Sequence, residues 1–122
     1  MFKKTITYTD FDGNERTEDF YFNLTKAEVT EMELSAKGGL VKQLQKIVAE
    51  QDSKRIVEIF KDLILKAYGE KSPDGRRFVK NDEIRDSFSQ SGAYSDLFME
   101  LATDAELAST FINGIVPSNL NK

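Results

Sequence analysis

Three stretches carry residue types whose spacing could do chemistry. Asp10, Asp12 and Asn14 alternate oxygen ligands as the start of a calcium loop does, but Gly13 falls two positions early and Tyr21 stands where the bidentate glutamate belongs. A hairpin turn accounts for the same residues. Gly69, Lys71 and Ser72 resemble the end of a phosphate-binding loop, yet Glu70 precedes the lysine and Leu65 replaces the first glycine. Asn23, Leu24 and Thr25 spell a glycosylation acceptor, for which a capping role of Thr25 is a sufficient explanation.

A fourth cluster is basic. Lys71, Arg76, Arg77 and Lys80 surround Phe78 and could follow a phosphate backbone while the ring stacks on a base. Glu70, Asp74, Asp82 and Glu83 enclose it, and the formal net charge of −4 argues against nucleic acid as a partner. Carboxylate pairs such as Glu31 with Glu33, or Asp96 with Glu100, are what any acidic helix surface shows. The chain has no histidine and no cysteine, which removes the commonest general base, the commonest transition-metal ligand and every thiol chemistry. No catalytic, cofactor-binding or metal residue is expected, and no cofactor.

What positions these residues is a mainly helical frame. At 122 residues the chain fits one domain with a core that needs no staple, and 39% hydrophobic against 31% charged residues is neither a disordered nor a membrane composition. The opening MFKKTITYTD alternates apolar with polar residues instead of giving a continuous apolar run, so no signal peptide is expected. Residues 3–9 and a second run with Phe20, Phe22 and Leu24 on one face predict a β-hairpin turned at Asp12-Gly13. An isolated hairpin is marginal in water, so its apolar face must rest on helices.

The strongest helix signature runs from Asp52 to Gly69. Ile56, Ile59, Phe60, Leu63, Ile64, Ala67 and Tyr68 form one stripe, widened by Val57 and Leu65, with Asp52 or Ser53 as cap and Gly69 as a left-handed stop. Ahead of it, Thr25 and Glu28 form a capping box for a helix carrying Val29, Met32 and Leu34, stopped at Gly38-Gly39. Residues 40–50 give a second helix, expected to pair antiparallel with the central one. Beyond it, Ser72 to Gly75 predict a turn, residues 77–79 an extended piece, and Asn81 or Asp82 a cap for a helix through Ile84 and Phe88. Ser91-Gly92 breaks that helix. Tyr94, Leu97, Phe98 and Leu101 mark another over residues 93–102, and Asp104 caps a last one that Gly114 and Pro117 end. The fold class is α+β, mainly α-helical: an N-terminal β-hairpin packed on about five or six short helices. It is read as one domain over residues 1–117 (hairpin 1–24, helical part 25–116), with a loose tail at 118–122.

Nine phenylalanines and four tyrosines exceed what such a core requires. Phe11, Tyr21, Phe78 and Phe98 are the surplus that could form an exposed patch for another apolar chain. Read together, TYTDFDGNERTEDFYFNLTKAEVTEMEL, FKDLILKAYGEKSPDGRRFV and AYSDLFMELATDAELASTFINGIVP resemble the tail assembly chaperones of long-tailed, siphovirus-type bacteriophages of Gram-positive bacteria. The likeness runs almost end to end and rests on overall wording, not on a chemical motif.

The resemblance implies a non-enzymatic protein of the host cytoplasm, absent from the mature virion. It would bind the tape measure protein while the tail tube protein assembles around it, with self-association also possible and neither nucleic acid nor membrane as partner. It further implies a longer form made by ribosomal frameshifting near the end of the frame. A client helix would fit a groove between residues 40–50 and 93–102, and Leu40, Leu44, Phe78 and Phe98 are the candidate partner-binding residues. The alternative is a structural tail component, a tube or connector subunit, that assembles by itself.

Overall fold

The computed structural model describes residues 1–34, 40–50 and 53–117. The Gly38-Gly39 stop, Asp52 as a cap and the tail at 118–122 lie outside them, as do the side chains of Leu40 and Leu44.

The elements run β1 (Phe2–Thr9), β2 (Glu15–Phe22), α1 (Lys26–Leu34), α2 (Leu40–Glu50), α3 (Ser53–Ala67), β3 (Tyr68–Lys71), β4 (Phe78–Val79), α4 (Asp82–Ser89), α5 (Gly92–Thr103) and α6 (Ala105–Ile115). The expected α+β, mainly helical fold with an N-terminal hairpin is what forms. β1 and β2 pair antiparallel from Phe2↔Phe22 to Thr9↔Glu15. Gly13, at φ +85°, closes the turn between them, as its freedom at positive φ requires.

The sheet is larger than that hairpin. Among the described residues it has four antiparallel strands in the order β1-β2-β3-β4, because the central helix stops short of its expected end. α3 finishes at Ala67, whose carbonyl accepts a hydrogen bond from the Asn23 N–H (2.8 Å), and Tyr68 crosses into register with Phe22. Gly69 is therefore a strand residue and not a left-handed helix stop. Tyr68 still buries its ring, but by stacking on Phe88 at 4.1 Å between centroids. Burial pushes its hydroxyl up to about 12. The Ser72–Gly75 turn joins β3 to β4, with the Gly75 N–H donating to the Ser72 carbonyl (2.9 Å).

Local capping follows the sequence closely. Thr25 N–H donates to Glu28 Oε1 (2.9 Å) while Glu28 N–H donates to Thr25 Oγ1 (3.2 Å), a reciprocal box. Asn81 Oδ1 accepts from Ile84 N–H (2.8 Å), Ser91 Oγ from Tyr94 N–H (3.3 Å) and Asp104 Oδ1 from Leu107 N–H (3.0 Å), so α4, α5 and α6 each begin on a side-chain acceptor. α5 starts at Gly92, one residue before the expected start.

The core lies between the sheet's inner face and the helices. Phe22 is fully buried, and its ring meets Phe2, Tyr68, Phe88 and Phe111 at 5.5 to 6.4 Å. Phe60, Ile64, Leu97, Ile112 and Ile115 are among the other fully buried residues of this core. α2 packs chiefly on α6 and touches α3 less than the expected antiparallel pairing implies. The Gln45 amide donates across that α2–α6 contact to Asn113 Oδ1 (3.1 Å). Gly114 does not end α6. A Cβ there would come within 2.8 Å of the Phe2 ring, so glycine admits that ring against the last turn. The chain leaves α6 at Val116, extended before Pro117 as the residue before a proline tends to be.

Candidate functional site

The stretches with apparent chemistry are occupied by structure. Asp10 Oδ1 accepts from the backbone N–H of Asp12 (3.0 Å) and Asn14 (2.9 Å), and Oδ2 from Arg16 Nε (2.6 Å). The hydrogen bond from Arg16 holds this carboxyl below the usual carboxylate range. Its oxygens brace the hairpin turn. Ser72 Oγ donates to Asp74 Oδ1 (2.7 Å) and accepts from the Arg77 N–H (3.0 Å), so the hydroxyl of the loop resembling a phosphate site holds its own turn together. Among the described residues no group of three or more carboxylates could hold a metal ion.

The basic cluster is split. Lys80 turns inward, with Nζ donating to the Asn23 carbonyl (2.7 Å) and to Glu28 Oε2 (2.8 Å), and its side chain is only 15% exposed. It ties β4 to the start of α1 and completes the capping box from outside. Burial raises the Glu28 carboxyl, but the Lys80 hydrogen bond and the Thr25 N–H outweigh it and hold the group below its ordinary value. The Lys71 ammonium lies 5.8 Å from the centroid of the Tyr21 ring. Arg76 and Arg77 remain exposed.

Among the described residues, half-buried rings reach the surface in two places. The first is the outer face of the sheet. The register places Thr5, Thr7, Asp19, Thr17 and Tyr21 there, followed across β3 by Gly69 and Lys71 and across β4 by Phe78. Thr5 Oγ1 donates to Asp19 Oδ1 (2.6 Å), and the Thr7 and Thr17 hydroxyls meet at 2.9 Å, so the wide part of this face is a polar ladder. Near β3 it becomes aromatic. A Cβ on Gly69 would sit 2.7 Å from Phe78 Cε2 and 2.9 Å from the Val79 carbonyl, so the Phe78 ring lies across the glycine. Tyr21 and Phe78 are both half-buried there.

The second surface is on α5. Its Ala93–Leu97–Leu101 ridge is buried, while Tyr94 and Phe98 are half-buried with rings 6.1 Å apart. Burial and the nearby Asp62 carboxylate push the Tyr94 hydroxyl up. Met99 beside them is 55% exposed, and Val57 on α3 is also exposed. Met99 escaped the sequence reading because it lies just off the stripe of residues 94, 97, 98 and 101.

Of the four candidate partner-binding residues, Phe78 thus belongs to the sheet and Phe98 to the helical layer, with no ring contact between them among the described residues. Leu40 and Leu44 lie on α2, which shares α6 as a neighbour with α5. The exposed residues of α6 include Glu106 and Thr110, both polar, and Asn113, which meets the Gln45 amide of α2. Phe11, at the hairpin tip, is 89% exposed.

No curated protein and no solved structure matches the chain. A family model described as phage tail assembly chaperone matches residues 1–122, its whole length. The chain belongs to the phage tail assembly chaperone family.

Proposed function

We propose that this protein is a non-enzymatic chaperone that binds the tape measure protein of a long-tailed, siphovirus-type phage of a Gram-positive host and promotes assembly of the tail tube around it. The observation that carries the reading is the family match over the full chain, joined to aromatic surface on an acidic body. A tape measure protein is a long helical, apolar client. Half-buried rings such as Phe78 and Phe98 suit it, since they offer apolar area at low entropic cost without making the free chaperone aggregate.

On this reading residues 1–117 act as one folded unit in the host cytoplasm and are absent from the finished virion. Leu40, Leu44 and Phe98 contact an amphipathic client segment, Phe78 contributes from the sheet, and a frameshifted longer form is made alongside. Among the described residues no helix is long and apolar enough to cross a membrane.

The test is co-expression with the tape measure protein of the source genome. Co-purification, with the client held soluble, is the expected result. Phe98→Asp and Leu44→Asp should weaken it while far-UV circular dichroism is retained. A client that behaves identically with and without this chain refutes the proposal, and fixed-size rings formed by this chain alone point to a structural tail subunit.

A further inference from the structure

Among the described residues, β2 has an edge that no strand covers along residues 15–19. Its pairing with β3 covers only Tyr21↔Gly69 and Phe22↔Tyr68; from Glu70 onward β3 turns to β4 instead. A cleft of about 570 Å³ opens between residues 18–21 of β2 and 68–71 of β3.

The backbone groups of β2 alternate between its two edges. The Asn23 N–H donates to the Ala67 carbonyl on the β3 side, whereas on the β1 side the Asp10 N–H donates to the Asn14 carbonyl. Antiparallel strands alternate the two sides every residue, so Tyr21, Asp19, Thr17 and Glu15 aim N–H and C=O toward β3, and Arg16 and Glu18 toward β1. Among the described residues no strand pairs with the outward groups of Glu15, Thr17 and Asp19.

We propose that the outer edge of β2, residues 15–19, is a strand-addition site for an extended segment of another protein carrying Lys or Arg four residues apart. A second copy of this edge is a poor occupant. Antiparallel self-pairing must match outward residues with outward residues, and every such register sets like charges opposite each other. Centred on Thr17, Glu15 faces Asp19 twice; shifted either way, Arg16 faces Arg16 or Glu18 faces Glu18. Arg16 would also face Glu18 in the first register, but those groups are already engaged with Asp10 and Tyr8. A foreign strand with cations opposite Glu15 and Asp19 reverses the sign. The cleft agrees, since its charged lining is Glu18, Asp19 and Glu70 against Lys71 alone. Strand addition of this kind takes affinity from backbone hydrogen bonds and selectivity from alternate side chains.

The inference rests on the reading of this chain as a binding protein, but it uses neither Phe98 nor the helical layer. The probe is a capped peptide, Lys-Val-Thr-Val-Lys, with a Glu-Val-Thr-Val-Glu control. At saturating peptide, amide hydrogen exchange at Thr17 and Asp19 should slow by about tenfold or more, while Arg16 and Glu18, already bonded to β1, stay unchanged. The acidic control should protect neither. Thr17→Pro removes one outward N–H and is compatible with an edge strand, so it should abolish the protection. If that variant unfolds, the Glu15→Lys, Asp19→Lys double variant serves instead and should prefer the acidic peptide. Equal response to both peptides, protection confined to helical amides, or protection that rises with protein concentration alone would overturn the proposal. No phage client enters the assay, so its failure and a failure to solubilise the tape measure protein are separate results.

Discussion

Gly114→Ala sets two effects of opposite sign against each other. In the last turn of a helix, alanine gains at most about 1 kcal/mol over glycine in propensity. Here the new Cβ would stand 2.8 Å from Phe2 Cδ2, 3.1 Å from its Cβ and 3.3 Å from its Cγ. The ring has little freedom to move. It packs edge-on against Phe111 at 5.3 Å and near Phe22 at 6.4 Å, and its backbone is held in register with Phe22. Overpacking of this kind costs about 1–3 kcal/mol, so the net expectation is a loss of about 1 kcal/mol. In a Phe2→Ala background the obstruction is gone and the same substitution becomes stabilising, giving a coupling of about 2 kcal/mol between the two sites. Urea unfolding of the four proteins, followed by circular dichroism, measures the cycle. A Gly114→Ala protein more stable than the parent, or the same sign in both backgrounds, refutes the reasoning.

Removing the Phe111 ring, which touches Phe2, Phe22 and Phe60, should cost about 3–5 kcal/mol in Phe111→Ala, read from the same urea midpoint. Asp104→Ala removes the acceptor at the start of α6 and should cost about 1 kcal/mol, whereas Asp104→Asn should retain most of it. Glu28 supplies a pH dependence. Its carboxyl is lowered on folding, so its stabilising contribution is complete above the unfolded value of about 4.3 and is lost as pH falls through the lower folded value. Glu28→Gln should therefore flatten the acid side of a stability–pH profile, and an unchanged acid slope would count against the Lys80–Glu28 contact.

The parts of this fold that could be read from sequence are those decided within a few residues. The Thr25/Glu28 box, the Asn81 and Asp104 caps, the Asp12-Gly13 turn and the Ser72–Gly75 turn all satisfy backbone groups locally, and residue type alone announces them. β3 was hidden because Tyr68 continues the apolar stripe of α3 at helical spacing, while the partner that turns it into a strand, Phe22, is distant in the chain. Gly114 misled for the same reason. Glycine near a helix end usually signals a stop, and only the arrival of Phe2 from the opposite end of the sequence gives it another use. The candidate surface was legible as an excess of rings but not as a place. Residues 77–79 read as extended and 93–102 as helix, which already separates Phe78 from Phe98, but the seat of the Phe78 ring over Gly69 depends on β3, which periodicity did not reveal.

The meeting of the two ends of the chain has a consequence for how the protein is made. Phe2 rests on Gly114 and Phe111, and the Leu24 N–H donates to the Ile115 carbonyl (2.7 Å), so the first strand waits for the last helix. A ribosome adding about 5–20 residues per second needs on the order of ten seconds to deliver α6. For that interval the Phe2 and Phe22 rings of the nascent hairpin lack Phe111, the partner that α6 supplies. A translation product truncated before residue 105 keeps Phe2 and Phe22 without Phe111, and should be cleared by proteases in place of accumulating as a shorter folded form.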